Sequence, residues 1–173
     1  MQTSHDLAWL NELAAEEART ELLKCCGAAR WAEAIAQDRP YQTHDQLIAR
    51  AHEVWWSLEA TDWLEAFRSH PKIGETKAAN GVSTQSRQWS AQEQQGVQHA
   101  AEKVIEKLAQ LNREYERKFG FIFIVCATGK SSDEILLLLE QRLPNDAAVE
   151  LRIAASEQAK ITELRLRKLL ERS

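Results

Sequence analysis

Phe121-Ile122-Phe123-Ile124-Val125-Cys126-Ala127 is the stretch on which the fold class turns. Seven consecutive apolar residues, set between Gly120 and Thr128-Gly129, have the length and the β-branched and aromatic content of a buried strand. No second run of this kind occurs in the 173 residues, and a strand without a partner cannot make a sheet. The segment is therefore expected to be extended chain threaded between helices. Its amides have no helix to satisfy them, so they must find partners elsewhere in the protein or in a ligand.

Helical spacing dominates on both sides of it. Before the run, Val97, Ala100, Ala101, Val104, Leu108, Leu111 and Tyr115 form one apolar stripe, opened by the capping box Ser90-Ala91-Gln92-Glu93 and closed by Lys118 and Gly120. After it, Thr128-Gly129-Lys130-Ser131 has the tail of a phosphate-binding loop. The glycine that motif needs five residues earlier is replaced by Ile124, and Ser131 with Glu134 reads better as the start of a helix ended by Pro144. A last helix, capped by Asn145, carries Leu151, Ala154, Ala155, Ile161, Leu164 and Leu169.

The N-terminal half holds two or three short helices between Leu7 and Ala36, interrupted at Gly27 and ended at Arg39-Pro40-Tyr41. Thr43-His44-Asp45-Gln46 is a second capping box, followed by Leu47, Ile48, Ala51, Val54, Trp55 and Leu58. A further helix over 61–69 brings Trp63, Leu64 and Phe67 inward. The sum is an all-α, single-domain bundle of about eight helices over 1–173, with one buried extended segment.

Composition narrows the function classes. A net charge of −4, with basic residues interleaved among acids, lacks the clustered positive surface of a nucleic-acid binder. Three cysteines and five scattered histidines make neither a disulfide framework nor a metal set. No stretch reaches the ~18 apolar residues of a membrane span, and the N-terminus has no signal-like segment. These features lead us to expect a cytoplasmic protein with no nucleic-acid or membrane partner.

The candidate chemistry begins at Phe67-Arg68-Ser69-His70-Pro71-Lys72-Ile73-Gly74-Glu75. Proline at 71 biases His70 away from α geometry and removes the next amide donor, so the helix must stop there. An imidazole at a helix exit can exchange a proton near neutral pH from a fixed direction. The alternative role for His70 is simple interaction with the helix C-terminal dipole. Residues 75–89 are polar and aperiodic, a loop long enough for function.

His70-Pro71 at a helix exit, Ser90-x-x-Glu93-Gln94 at a helix start and Phe119-Gly120-Phe121-Ile122-Phe123 before a buried run occur together here. So do Cys25-Cys26 with Trp31, Arg39-Pro40-Tyr41, Asn112 with Tyr115, and Lys160-Ile161 with Arg165-Leu166. In this order and spacing, the chain resembles the 2-oxo-4-hydroxy-4-carboxy-5-ureidoimidazoline (OHCU) decarboxylases of urate degradation. The resemblance implies an all-helical homodimer without metal or organic cofactor that forms (S)-allantoin with loss of carbon dioxide. It implies His70 and Glu93 as catalytic residues. Pro71, Ser90, Ala91, Gln92, Gln94 and the backbone of Phe123, Ile124, Val125, Cys126 and Ala127 would meet substrate. The substrate arginine falls on Arg165, with Arg152 as the alternative. Animal relatives end in a peroxisomal tripeptide, whereas Glu171-Arg172-Ser173 is not one.

Two other readings stay open at the level of sequence. A hydrolase or isomerase of a related ureido or hydantoin compound would use the same groups. A helical interaction module would instead present its tryptophans on the surface.

Overall fold

The structure, a computed structural model, describes residues 3–71 and 102–171. Among the described residues there are eight α-helices and no strand. They are α1 (Thr3–Glu12), α2 (Ala15–Leu23), α3 (Ala29–Gln37), α4 (His44–Ser57), α5 (Ala60–Arg68), α6 (Glu102–Phe119), α7 (Ser132–Arg142) and α8 (Ala147–Leu170). The chain is all-α, as the isolated apolar run required. The expected start of α6 at Ser90 and the loop 75–89 lie outside the described residues.

The chain divides into two compact units, one of 1–66 with 159–173 and one of 67–158; the boundaries fall inside α5 and inside α8. In the first unit α2 packs on α3 and α3 on α4. Its core includes Leu10, Leu22, Trp31, Ile35, Leu47, Leu166 and Leu169, all fully buried. Buried aromatic polar ends are met by backbone carbonyls: Trp31 Nε1 donates to Ala51 O at 3.1 Å, Trp63 Nε1 to Trp55 O at 3.0 Å and Tyr41 Oη to Ile35 O at 2.7 Å. Trp55 and Trp63 are also buried, and the partly exposed Trp56 sets its ring edge-on to Trp63. Trp31, Trp55 and Trp63 thus build core rather than the exposed aromatic face that an interaction module needs.

Helix ends in this unit are closed by side chains. Thr43 Oγ1 accepts from the Gln46 amide at 3.1 Å, the cap expected from the sequence, while Gln46 Oε1 reaches one residue further back, to the amide of Gln42. Arg39 Nη1 donates to the carbonyls of Leu10 and Leu13, and its Nε to that of Ala36, so one guanidinium closes the ends of α1 and α3. The N-terminus of α3 begins at Ala28, which has no capping side chain. Its Ala29 amide is satisfied by Glu65 Oε1 of α5 at 2.6 Å.

In the second unit α6 packs on α7, and Gly120 ends α6 in the left-handed region at φ 82°, returning its amide to Glu116 O. Residues 121–127 then run without helix or ladder, buried apart from a half-buried Ile122. Ser131 Oγ accepts from the Glu134 amide at 3.2 Å and starts α7, which settles Gly129-Lys130-Ser131 as turn and cap. Lys130 Nζ is turned back on the Cys126 carbonyl.

One expected cap is corrected. Helix α8 starts at Ala147, with the Asp146 carbonyl taking the first intrahelical bond from Glu150 N. Asn145 stands one residue too early to cap it, and its Nδ2 donates instead to Glu150 Oε2 at 3.1 Å. Glu150 has no solvent exposure, so this donor satisfies a buried carboxylate oxygen that water cannot reach.

Candidate active site

Helix α5 ends at Arg68, two residues before His70, as a proline at 71 demands. The His70 amide closes the last turn on Phe67 O at 3.2 Å, so the residue is tethered by its backbone while its ring leaves the helix. The ring itself is half-buried. Its Nε2 sits 2.5 Å from Oε1 of Gln158, a fully buried side chain of α8. An amide oxygen only accepts, so Nε2 carries a proton and donates. Through Nε2 the imidazole is oriented by this neutral side chain.

The same unit holds the extended segment. Phe67, one turn before His70, packs its ring on Phe121 with centroids 5.4 Å apart, and Tyr115 of α6 sets its ring edge-on to Phe121 and Phe123. Aromatic packing therefore links the helix that delivers His70 to the start of 121–127. Phe123, Ile124, Val125, Cys126 and Ala127 are all buried. Among the described residues, none accepts from the amides of Phe123, Ile124, Val125 or Ala127. Buried donors of this kind are what a carbonyl-rich ligand would need.

A buried ionic cluster backs the segment. Arg142 Nε donates to Glu150 Oε1 at 2.6 Å, and Tyr115 Oη donates to the same oxygen at 2.6 Å. Arg142 Nη1 donates to the Ile124 carbonyl at 2.7 Å, and its guanidinium lies 4.4 Å from the centre of the Phe123 ring. Burial, followed by the hydrogen bond to Glu150, pushes the Tyr115 hydroxyl far above its ordinary pKa, so it remains a neutral donor.

Arg165 belongs to the first unit and is buried there, 3% exposed, whereas Arg152 is exposed. Its charge acts on the paired thiols Cys25 and Cys26, and Thr162, one turn earlier on α8, hydrogen-bonds Cys26. Pro71 is half-buried beside His70. Glu93, Gln94, Ser90, Ala91 and Gln92 lie outside the described residues. Among the described residues, no group of three or more His, Cys, Asp or Glu side chains could hold a metal, and no helix is long and apolar enough to cross a membrane.

Gln158 and the Arg142–Glu150 pair are not visible as site residues in the sequence. A signal for Gln158 does exist there. It falls on the apolar stripe of α8, four residues after Ala154 and seven before Arg165, where a polar side chain has to be partnered.

The family model described as OHCU decarboxylase matches residues 11–167. This chain belongs to that family. It is 39% identical over 158 residues to the uric acid degradation bifunctional protein TTL of Arabidopsis thaliana, an alignment covering 91% of this chain and 48% of that protein. The chain therefore spans about half the length of that relative. The 2-oxo-4-hydroxy-4-carboxy-5-ureidoimidazoline decarboxylase of Amia calva is 31% identical over 140 residues, covering 81% of this chain and 79% of its own. A crystal structure of OHCU decarboxylase in the presence of (S)-allantoin shares 37% identity at a TM-score of 0.76, covering 88% of this chain and 98% of that one. A crystal structure of (S)-allantoin synthase, 20% identical with a TM-score of 0.70 over 94% of this chain and 53% of that one, has the same fold.

Proposed function

We propose that this chain decarboxylates 2-oxo-4-hydroxy-4-carboxy-5-ureidoimidazoline to (S)-allantoin in urate degradation, acting as a cytoplasmic homodimer and using no cofactor. The observation that carries the reading is His70, tethered at the exit of α5 with its ring held by buried Gln158, in a chain of the OHCU decarboxylase family. Loss of carbon dioxide leaves an electron pair on carbon. The conjugated carbonyl and imine groups of the substrate ring can delocalise that pair, so the protein has to supply only placed charge and one proton.

In this reading His70 delivers the proton to one face of the carbanion and so sets the product's configuration, with Glu93 acting on the substrate hydroxyl. A positioned acid of this kind contributes roughly 10²- to 10⁴-fold. Gln94 and amides of the Phe123–Ala127 segment bind ring and ureido carbonyls, more strongly as negative charge develops on them. Arg165 holds the carboxylate or ureido group through two parallel hydrogen bonds, with Pro71, Ser90, Ala91 and Gln92 as neighbouring contacts. Burial favours Arg165 over the exposed Arg152 for this work, because a desolvated guanidinium binds an anion more strongly than a solvated one.

The test generates the unstable substrate in place with urate oxidase and a hydroxyisourate hydrolase, then follows optical activity with wild-type protein and with His70→Ala. A single allantoin enantiomer formed fast by the wild type and at the buffer rate by the variant is the expected result. Racemic product at the buffer rate with both proteins would remove the assignment.

A further inference from the structure

The two nitrogens of the His70 ring are set apart by what Nε2 touches. Nε2 donates to Oε1 of Gln158 at 2.5 Å, and Gln158 has no solvent exposure. The backbone end of the residue is tied as well, its amide closing on Phe67 O at 3.2 Å. A half-turn of the ring about the Cβ–Cγ bond would put Cε1 where Nε2 stands and break the bond to Gln158. The contact therefore fixes where Nδ1 lies. A carboxamide also carries no charge of its own, and its oxygen accepts from Nε2–H both in the neutral ring and in the imidazolium. One partner thus serves both protonation states without moving.

We propose that Nδ1 is the atom of His70 that gives the proton to the substrate carbanion, and that Gln158 is the positioning residue that keeps the other proton on Nε2. The inference rests on the decarboxylase reading and deepens it by naming the working atom and what aims it. Which ring nitrogen is free to exchange a proton is set by the hydrogen bond that the other makes. In the step itself the bond from ring carbon to carboxylate breaks, and its electron pair stays on carbon as carbon dioxide leaves. That pair takes the proton from Nδ1–H of the imidazolium, and the electrons of the N–H bond return to nitrogen. The ring left behind is the neutral tautomer protonated at Nε2, the form from which Gln158 Oε1 accepts. Water returns a proton to Nδ1 once product has left, and the bond to Gln158 lasts through the whole cycle. Were Nε2 the donor, that bond would have to break in every turnover, against a carboxamide that solvent does not reach.

The test has two arms on the full chain. In the first, ring ¹⁵N shifts of His70, assigned by their loss in His70→Ala, are read in the neutral ring. Nε2 is expected at the shift of a protonated nitrogen and Nδ1 at that of a bare one, the two drawing together in Gln158→Leu as the second tautomer enters. A bare Nε2 beside a protonated Nδ1, or shifts that do not change in Gln158→Leu, overturns the proposal. In the second arm, methylated histidines are placed at position 70 by codon suppression. Nδ1-methylhistidine in the otherwise wild-type chain is expected to lower kcat roughly 10²-fold or more, because the transferring atom is blocked. Nε2-methylhistidine, placed in Gln158→Ala to make room for the methyl group, is expected to stay within roughly ten-fold of Gln158→Ala itself. The reverse ranking overturns the proposal. Should the Gln158 variants not fold, the wild-type ring shifts and the Nδ1-methyl protein decide alone. Absence of turnover by the wild type would strike the decarboxylase reading; wild-type turnover that survives Nδ1 methylation would strike only this one.

Discussion

His70 Nε2 and Gln158 Oε1 are 2.5 Å apart, and Gln158 has no solvent exposure. The contact makes a neutral residue 88 positions away the orienter of the imidazole. Replacing Gln158 by Glu puts a negative charge against the ring and favours imidazolium. The limb of the kcat/KM profile governed by His70 should move upward by roughly one pH unit or more. Gln158→Leu should leave that limb nearer its place and lower kcat roughly ten-fold through lost orientation. Identical pH profiles for wild type and Gln158→Glu would show that the proton-transferring group proposed at His70 does not feel this contact.

The two candidate arginines separate by burial. Arg165→Lys keeps charge but gives up the paired geometry, and a lost charge-assisted hydrogen bond predicts a roughly 10- to 100-fold rise in KM. Arg152→Ala should stay within two-fold of wild type, since its side chain is exposed. Steady-state kinetics of both variants decide the matter, and the reverse ranking would transfer the role to Arg152.

Burial pushes the Cys25 thiol well above its usual range and the Cys26 thiol up to about 11, the pull of Arg165 on both being smaller. Neither should react with iodoacetamide at pH 8 in the native protein, and both should label at once in urea. A raised folded-state value means that the native state keeps its proton while the unfolded thiol, at 9.0, loses it. The stability carried by Cys26 should therefore be complete below about pH 9 and fall away towards pH 11. Rapid native labelling of Cys26, or a Cys26→Ala variant with the same alkaline decline as wild type, would contradict this.

Glu163 accepts from His52 at 2.9 Å and from Arg167 at 2.8 Å, and these hydrogen bonds hold its carboxyl below the ordinary value of 4.5. A lowered folded-state value contributes stability above the unfolded one and loses it as pH falls through the folded one. The group is partly exposed, so the contribution at pH 7 should be under about 1 kcal/mol. Urea unfolding of wild type and Glu163→Gln should differ by that amount at pH 7, and the difference should close below about pH 4.5. A constant difference across this range would rule out the carboxylate as its source.

Much of the chain was legible before any coordinates. The isolated run at 121–127, the stop at His70-Pro71, the cap at Thr43 and the start at Ser131 each stood where the sequence placed them, because each rests on rules acting within about four residues. The misplaced cap at Asn145 shows the limit of those rules. Asn145 is a good cap by residue type, yet the helix starts at Ala147 and the buried Glu150 takes the Asn145 side-chain amide.

The sequence alone determined that the chain is all-α, where α4 and α7 start and α5 and α6 stop, and that a histidine leaves α5 beside a proline. Those outcomes follow from backbone geometry, periodicity and the lack of a second strand. Only the tertiary structure decided who completes each local feature: Glu65 for the bare start of α3, 36 residues away, Gln158 for His70, and Arg142 with Glu150 for the middle of the extended segment. The physical reason is that a buried donor or acceptor must be paired, yet nothing in its own neighbourhood says with whom. That choice is made only when packing brings distant helices together.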